Sequence, residues 1–288
     1  MEETFESNRP YLFAIAYRML GSVMDAEDMV QETYIRYQKA QPENLHSLKA
    51  YLTTILTRLC IDQLDLARRK RELYVGPWLP EPILTEEVPE VVNPEKKVER
   101  EESISQAFLM LLENLQPFER AVFLLREAFE YEFAEIAGML EKSEAACRRS
   151  FSRAKQHLVN RRPRFAPAPE AHRQLLNSFL TAVQGGEMAT LTELLSEDVT
   201  VWVDGGGKVR QAALRPISGR EAVVRFIQGS KRFWQGITHT DLEEVNGQTA
   251  LVIRRDNGQV FSVLTMDFEQ GQIATIRIIA NPEKLSRI

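Results

Sequence analysis

The stretch from Ala134 to Leu158 constrains the fold more than any other part of this 288-residue chain. Its pattern predicts two short helices separated by a turn of two or three residues, and Ser143 is a favourable N-cap for the second helix. That second helix has an apolar stripe with spacings of four, three and four residues, formed by Cys147, Phe151, Ala154 and Leu158. Such a hairpin, held by one apolar face, is the form that a helix-turn-helix presents to the major groove of DNA.

The residues beside this stripe are basic or carry hydroxyl groups. From Lys142 to Arg164 there are eight basic residues and one acidic residue, Glu144. The planar guanidinium of arginine suits DNA recognition because it can donate two hydrogen bonds to a guanine edge or a phosphate. A helix pair with a merely solvated charged face is the alternative, but the local charge and the short turn favour DNA binding. The candidate DNA-binding residues are Arg148, Arg149, Ser152 and Arg153.

Composition limits the class of protein. A net charge of −5 argues against indiscriminate coating of nucleic acid, although it permits a local basic patch. The two cysteines, Cys60 and Cys147, belong to no metal-binding motif, which favours a reducing cytoplasm and predicts neither metal nor cofactor. The sequence has no apolar signal core and no run near the ~20 apolar residues that span a bilayer, so we expect a cytoplasmic protein without membrane contact.

The chain divides into four parts by pattern. Residues 1–75 predict an all-helical domain, and residues 76–102 predict an acidic, proline-rich linker that contains the sequence WLPEP. Residues 103–163 predict the helical domain with the helix-turn-helix, and residues 170–288 change to helices followed by strands. Turn pairs such as Asn257–Gly258 separate the last strands, so we expect an antiparallel sheet in an α+β domain.

The motifs resemble those of a known family. DAEDMVQETYIRY, then SLKAYLTTILTRLCIDQL, then the helix-turn-helix are similar in order and spacing to bacterial extracytoplasmic-function sigma factors. WLPEP in the linker, DGGGK at 204–208 and NPEKL at 281–285 resemble the SigJ-like subgroup, which carries a C-terminal SnoaL-like domain. The resemblance implies sigma regions two and four followed by a cone-shaped α+β domain. It also implies core RNA polymerase, through the β′ clamp helices and β flap, and promoter DNA as partners of a monomeric protein.

The resemblance assigns roles by position. The polymerase-binding residues would be Asp28, Gln31 and Glu32. The next helix would separate the DNA strands at the minus-ten element and read its sequence. It would use Thr57, Arg58, Asp62 and Gln63, with Arg68 and Arg69 nearer the DNA backbone. The recognition helix, with Arg148, Arg149, Ser152 and Arg153, would read the minus-thirty-five element. Two positions depart from the family pattern: Glu141 replaces a frequent glycine in the turn, and Tyr51 replaces the usual tryptophan.

In the subgroup, the C-terminal domain is expected to dock on the sigma core and to tune its activity, as a separate anti-sigma protein does elsewhere. Tryptophan in a linker favours packing on a surface, either this domain or the preceding helix. The implied regulatory contact residues are Trp78, Leu79, Pro80, Asp204, Gly205, Gly206, Gly207, Lys208, Asn281, Pro282 and Leu285.

Two alternatives remain open on sequence. The C-terminal domain could be an enzyme or a ligand-binding pocket, with Asp204 and Asp267 as possible general bases and His239 as a titrating group. A turn position for Asp204 and Asp267 and a strand position for His239 are simpler interpretations, and the fold by itself cannot decide. The chain could also be a one-component repressor that senses a ligand, but a repressor needs no acidic polymerase-facing rim on its second helix.

Overall fold

A computed structural model describes residues 4–42, 45–71, 73–88, 103–159, 169–210, 212–230 and 237–288. The chain forms two compact units. One comprises residues 1–72 and 86–162, and the other comprises residues 73–85 and 163–288. Residues 73–85, part of which we expected to belong to a free linker, therefore group with the C-terminal unit. Of the remainder of the expected linker, residues 86–88 group with the first unit, and residues 89–102 lie outside the described residues.

The described part of the first unit is helical, as predicted. Its helices are α1 Phe5–Leu20, α2 Val23–Ala40, α3 Leu48–Arg71, α4 Gln106–Leu112, α5 Pro117–Glu127, α6 Phe133–Leu140 and α7 Glu144–Val159. Gly21, with φ of 66°, ends α1, and Ser22 caps α2 by accepting a hydrogen bond from the Asp25 amide at 3.2 Å. Helices of both predicted sigma regions pack on one another, and Leu12, Leu56 and Leu124 are buried.

The helix-turn-helix forms where the spacing predicted it. The hydroxyl of Ser143 accepts a hydrogen bond from the Ala146 amide at 3.2 Å and so caps α7. Glu141 ends α6 in the left-handed conformation, with φ of 52°, so the turn keeps its geometry where a glycine is frequent. The apolar stripe of α7 packs inward, and its ring contacts include Phe123 with Phe151 at 6.0 Å between centroids.

The second unit combines three helices and six strands in its described part. The helices are α8 Pro169–Gly185, α9 Met188–Leu194 and α10 Arg220–Ser230. The strands are β1 Leu195–Asp204, β2 Ile217–Ser218, β3 Ile237–Val245, β4 Gln248–Arg255, β5 Val260–Glu269 and β6 Gln272–Ile279, in sheet order β2-β1-β6-β5-β4-β3. The predicted α+β architecture is confirmed.

The sheet differs from the expected pattern in one pairing. β1 and β6 are parallel, while the other neighbouring strands are antiparallel. The predicted hairpin turns are present, with Gly258 at φ of 81° and Gly271 at φ of 80°. Leu176, Val201, Leu251 and Ile276 belong to the core between the helices and the sheet. The parallel pair places the end of β1 beside the end of β6, so Asp204 lies next to Asn281.

Candidate nucleic-acid interface and linker anchor

The recognition helix α7 presents most of the predicted DNA-binding side chains to solvent. Arg149 and Ser152 are exposed. Arg148 is exposed as well, but it forms an ion pair with Glu144 and lies over the Phe133 ring at 4.6 Å. These three side chains therefore lie on the solvent-facing side of α7.

Arg153 is also predicted to bind DNA, but it contributes to packing inside the first unit. Its Nε donates to Glu119 at 2.8 Å and its Nη2 donates to the Ser150 hydroxyl at 3.1 Å. The Glu119 side chain is 8% exposed, so the pair fixes α7 on α5. Arg153 therefore has a structural partner that competes with any phosphate.

The acidic rim of α2 lies on the surface. Asp28 and Gln31 are exposed, and Glu32 is partly buried and accepts a hydrogen bond from Arg36 at 2.9 Å. Two exposed apolar side chains, Met24 and Ile35, lie at helical spacing along the same side of α2. An acidic rim mixed with apolar side chains is a suitable surface for a protein partner.

The predicted minus-ten residues on α3 fall into two groups. Asp62 is exposed, and Gln63 is partly buried and donates to Asp25 at 2.9 Å. Thr57 is fully buried, and its hydroxyl donates to the Thr53 carbonyl at 2.8 Å. The structure contradicts the expectation that Thr57 faces DNA, because helical periodicity alone did not show that it lies on the packed side of α3. The side chains of Arg68 and Arg69 lie outside the described residues.

Arg58 is held by the helix-turn-helix. Its Nε donates to the Met139 carbonyl at 2.8 Å, and its guanidinium pairs with Glu141 at 3.0 Å. Both partners lie in the last turn of α6 or directly after it. In this arrangement a side chain predicted to read the minus-ten element is bound by the domain predicted to read the minus-thirty-five element.

A cluster of hydroxyl groups adds to the contact made by Arg58. We call the Arg58 contact and this cluster together the helical interface. The Tyr131 hydroxyl lies 3.0 Å from the Tyr11 hydroxyl on α1 and 3.3 Å from the Thr53 hydroxyl on α3. Burial raises the pKa of Tyr11 far above its usual value, and the neighbouring Tyr131 adds to the shift. The ring of Tyr11 also packs edge-on against Phe129 at 5.5 Å. Tyr131 was not predicted as a contact residue, because nothing in its local sequence pattern marks a long-range partner.

The second unit is organised around the carboxylate of Asp204 at the end of β1. Its Oδ1 accepts hydrogen bonds from the Tyr74 hydroxyl at 2.5 Å and from the Gly206 amide at 3.1 Å. Its Oδ2 accepts from the Leu79 amide at 2.9 Å and from Lys284 Nζ at 2.7 Å. Asp204 is fully buried, so four donors stabilise a carboxylate that would otherwise be costly to remove from water.

Three of those four donors come from the three predicted signatures, one from each, and the fourth is the Tyr74 hydroxyl. Lys284, in NPEKL, also donates to the Leu79 carbonyl and lies 4.3 Å from the Trp78 ring centroid. Asn281 Nδ2 donates to the Tyr74 hydroxyl at 3.0 Å. Burial, followed by the bond to Asp204, raises the pKa of Tyr74 well above its ordinary value, so this hydroxyl stays protonated.

Residues 73–85, which we call the anchored segment, are held at a second point. The Asn246 amide donates to the Ile83 carbonyl at 2.9 Å, and Asn246 Oδ1 accepts from the Ile83 amide at 3.3 Å. The Gly247 amide donates to the Thr85 hydroxyl at 2.9 Å. Leu84 forms an antiparallel bridge with Val245 at the end of β3. The segment is therefore fixed to the C-terminal unit at both ends.

The three glycines of DGGGK allow this close approach. A Cβ on Gly205 would lie 2.4 Å from the Ala212 Cβ, and one on Gly206 would lie 2.4 Å from Asn281 Nδ2. Gly206 and Gly207 have φ of 58° and 70°. A Cβ on Gly207 would approach Val75 of the anchored segment to 3.0 Å.

We call the Asp204 carboxylate with its four donors the anchor. The other predicted regulatory residues lie around it. Leu79, Pro80 and Leu285 are buried, while Pro282 and Lys208 are exposed. Lys208 pairs with Glu283. The structure thus brings together WLPEP, DGGGK and NPEKL, and the residues that sequence reasoning missed are Tyr74, Asn246 and Lys284. Lys284 was inside a recognised signature, which was the available signal.

The residues considered for catalysis do not converge. Asp267 pairs with Arg277 through two hydrogen bonds of 2.9 and 2.5 Å. His239 is exposed on β3, and Asp204 is occupied by the anchored segment. Across the described ranges, no three His, Cys, Asp or Glu residues are grouped to hold a metal ion. No helix in the part of the chain that the structure describes has the length and apolar character needed to cross a bilayer.

Comparison with known proteins covers both units. Residues 4–71 match the family Sigma-70 region 2, and residues 105–158 match Sigma-70, region 4. The ECF RNA polymerase sigma factor SigJ of Mycobacterium tuberculosis (strain ATCC 25618 / H37Rv) is 34% identical over 291 residues, covering 98% of this chain and 92% of that protein. The probable ECF RNA polymerase sigma factor SigI of M. tuberculosis (strain CDC 1551 / Oshkosh) is 29% identical over 98% of this chain and 93% of that protein.

A solved structure is similar to this chain over nearly its whole length, as the sequence relatives are. The crystal structure of the M. tuberculosis extracytoplasmic function sigma factor SigJ matches with a TM-score of 0.75 and 32% identity. The match covers 98% of this chain and 97% of that chain. The helical regions and the C-terminal helix-and-sheet unit therefore occur together in a solved relative.

Proposed function

The chain belongs to the family of extracytoplasmic-function RNA polymerase sigma factors, and we propose that its C-terminal unit regulates it in cis by holding residues 73–85. As a member of that family it is an alternative sigma factor, which binds core RNA polymerase and directs transcription from its promoters. This membership favours the sigma factor over the one-component repressor.

The observation that carries the regulatory proposal is the environment of Asp204. A buried carboxylate with four donors, two of them from Tyr74 and Leu79, binds the start of the linker to the C-terminal unit. The segment between two promoter-reading domains sets the range over which they can separate. The anchor shortens the free part of the linker, so it restricts how far the two domains can separate. Release of the anchored segment would increase that separation.

Transcription in vitro tests this proposal with the full chain. The variant Asp204→Ala/Lys284→Met removes the anchor without leaving an unpaired charge, and Asp267→Ala/Arg277→Met removes a comparable buried pair that does not touch the anchored segment. With core polymerase and a promoter selected from a random DNA library, the first variant changes the transcript yield and the second does not. Equal yields from wild type and the anchor variant would contradict the proposal.

For promoter recognition, we propose that α7 reads the minus-thirty-five element through Arg148, Arg149 and Ser152. Their exposure supports this assignment. Replacing Arg148 and Arg149 by alanine should cost about 1–3 kcal/mol of promoter binding for each residue that pairs with a base. Binding is measured at fixed salt by fluorescence anisotropy, since phosphate contacts make affinity salt-dependent. Unchanged binding would show that another surface reads this element.

For the polymerase, we propose the rim of Asp28, Gln31 and Glu32. Exposure of the rim, with Met24 and Ile35 beside it, supports this assignment. The charge reversal Asp28→Lys/Glu32→Lys should abolish co-purification with core polymerase, while the reversal of Glu170 and Glu197, which are exposed in the C-terminal unit, should not. Retained co-purification would contradict the assignment.

We further propose that the helical interface opens before α3 reads the minus-ten element. Arg58 is engaged by Met139 and Glu141, so it is unavailable to DNA while the interface persists. After opening, Arg58, Asp62 and Gln63 form the proposed reading surface, with Arg68 and Arg69 toward the DNA backbone.

We also propose that the C-terminal unit has no catalytic role. Of its candidate acids and bases, Asp204 is engaged in the anchor, Asp267 is bound to Arg277, and His239 is exposed. Replacing Asp267 and His239 by alanine should leave promoter output unchanged. A loss of output without loss of stability would instead favour a chemical role for these residues.

A further inference from the structure

The C-terminal unit contains a cavity of about 300 Å³ that the anchor and the promoter-reading helices do not use. It lies between α10 and the sheet, where Phe226 faces Ile253, Phe261, Leu264 and Ile278. Leu264 and Ile253 also belong to the buried core of the unit. One lining residue, Arg225, is largely exposed, so this space is a cleft that opens to solvent and not a sealed void in the core.

The size and lining of the cavity determine what can occupy it. An enclosed apolar cavity of about 150 Å³ is large enough to bind benzene, and this partly open cleft is about twice as large. The polar side chains among its described lining residues are Arg225, Ser230 and Ser262, and no acidic residue is among them. The lining therefore suits a molecule with an apolar body and a neutral or anionic end, and it disfavours a cation.

Arg225 provides the charge for an anionic end. Its side chain is 69% exposed and pairs with Glu221 at 3.6 Å, a loose surface contact. Exposed pairs of this kind contribute little, so a ligand carboxylate can replace Glu221 at low cost. The Ser230 hydroxyl donates to the Ile227 carbonyl at 2.7 Å, which leaves its oxygen free to accept rather than to donate.

We propose that this cleft binds a medium-chain carboxylate, with the acid group at Arg225. The site is distinct from the anchor, yet it shares strands with it: the lining residues Val203 and Ala280 directly precede Asp204 and Asn281. The proposal does not depend on polymerase binding or on regulation by the anchored segment, and it is tested on the free protein.

The test measures binding of decanoate to the full-length protein by isothermal titration calorimetry, with decanol as the neutral analogue. Ser262→Phe fills the cavity, and Ser178→Phe places the same side chain on an exposed site of α8. Decanoate binding should weaken at least about tenfold, or 1.4 kcal/mol, in Ser262→Phe and stay unchanged in Ser178→Phe. Arg225→Gln should weaken decanoate but not decanol, whereas Arg210→Gln, at an exposed arginine outside the lining, should affect neither.

A second variant covers the case in which Ser262→Phe fails to fold. Gly229 lines the cavity, and a Cβ placed on it meets no atom within 4 Å, so Gly229→Leu can occupy the space without a backbone clash. Folding is checked by circular dichroism before each titration. The proposal is overturned if wild type binds neither probe, or if folded Ser262→Phe and Gly229→Leu bind decanoate as wild type does.

Discussion

The helical interface and the anchor both hold distant parts of the chain together, but their ion pairs differ in exposure to solvent. Each joins residues far apart in sequence through a cation and a carboxylate. In the interface, Arg58 and Glu141 are 41% and 76% exposed, and in the anchor Lys284 and Asp204 are 11% and 0% exposed. An exposed pair contributes about 0–1 kcal/mol, whereas removing one partner of a buried pair costs about 3–5 kcal/mol.

This difference indicates which of the two contacts costs less free energy to replace. Water and salt compete directly with the Arg58–Glu141 pair, so binding of polymerase or DNA can replace it cheaply. Breaking the anchor would leave the buried Asp204 carboxylate without its counter-charge. We therefore expect the anchor to persist when polymerase or DNA binds. The ion pair of the interface is therefore easily exchanged, which fits the opening that we propose for the first unit, and the anchor is suited to hold its segment until a specific event releases it.

The largest loss of stability is expected when one partner of the buried pair in the anchor is removed. Lys284→Met leaves the Asp204 carboxylate buried without its counter-charge, so the free energy of unfolding of the second unit should fall by about 3–5 kcal/mol. Lys208→Met is the matched control, since its pair with Glu283 is exposed, and it should cost less than about 1 kcal/mol. Differential scanning calorimetry of the full chain measures both. Similar losses in the two variants would remove the distinction between the buried and the exposed pair.

A smaller effect is expected from the glycine loop. Gly206→Ala introduces a Cβ 2.4 Å from Asn281 Nδ2 at φ of 58°, so steric and backbone costs of about 2–4 kcal/mol in total should combine. Gly271→Ala has a φ of 80° with no atom within 4 Å of the added Cβ, so it should show the backbone cost alone, about 1 kcal/mol. Urea denaturation compares the two. Equal losses would show that the loop does not pack tightly on NPEKL.

The interface should respond more weakly still. Glu141→Gly and Glu141→Ala both remove the pair with Arg58, but only glycine adopts the left-handed conformation of residue 141 without strain. Glu141→Gly should therefore be more stable than Glu141→Ala by about 1 kcal/mol, measured by thermal denaturation. Both should separate the two halves of the interface further, as monitored by energy transfer between dyes on α1 and α5. A compact interface in both variants would show that the Arg58–Glu141 pair is not needed to hold it.

The smallest expected effect is a pH dependence in the second unit. Burial lowers the pKa of His172, against the opposing influence of Asp267 and Glu244, and its ring packs edge-on against Phe268 at 4.8 Å. The unfolded chain then binds a proton more readily than the folded chain, so stability falls as the pH drops below about 6.5, the unfolded value, and levels off below the folded pKa. His172→Leu should lose this component, which chemical denaturation at several pH values measures. An identical pH profile in the variant would contradict the assignment to His172.

Local pattern predicted much of the fold and part of the site. The spacing of Cys147, Phe151, Ala154 and Leu158 predicted the buried stripe of α7, and the turn at Asn257–Gly258 predicted a hairpin that is present. The family resemblance grouped WLPEP, DGGGK and NPEKL, which the structure brings together. These features follow from periodicity and turn chemistry, which act between residues a few positions apart.

The sequence by itself therefore determined the order of the helical and α+β parts, the helix-turn-helix and the signatures of the anchor. Only the tertiary structure decided which polar groups meet: Tyr74 with Asp204 across 130 positions, Arg58 with Met139 across 81, and Thr57 inside the core. The reason is that a buried polar group must find a partner wherever packing places one, and packing depends on the whole chain.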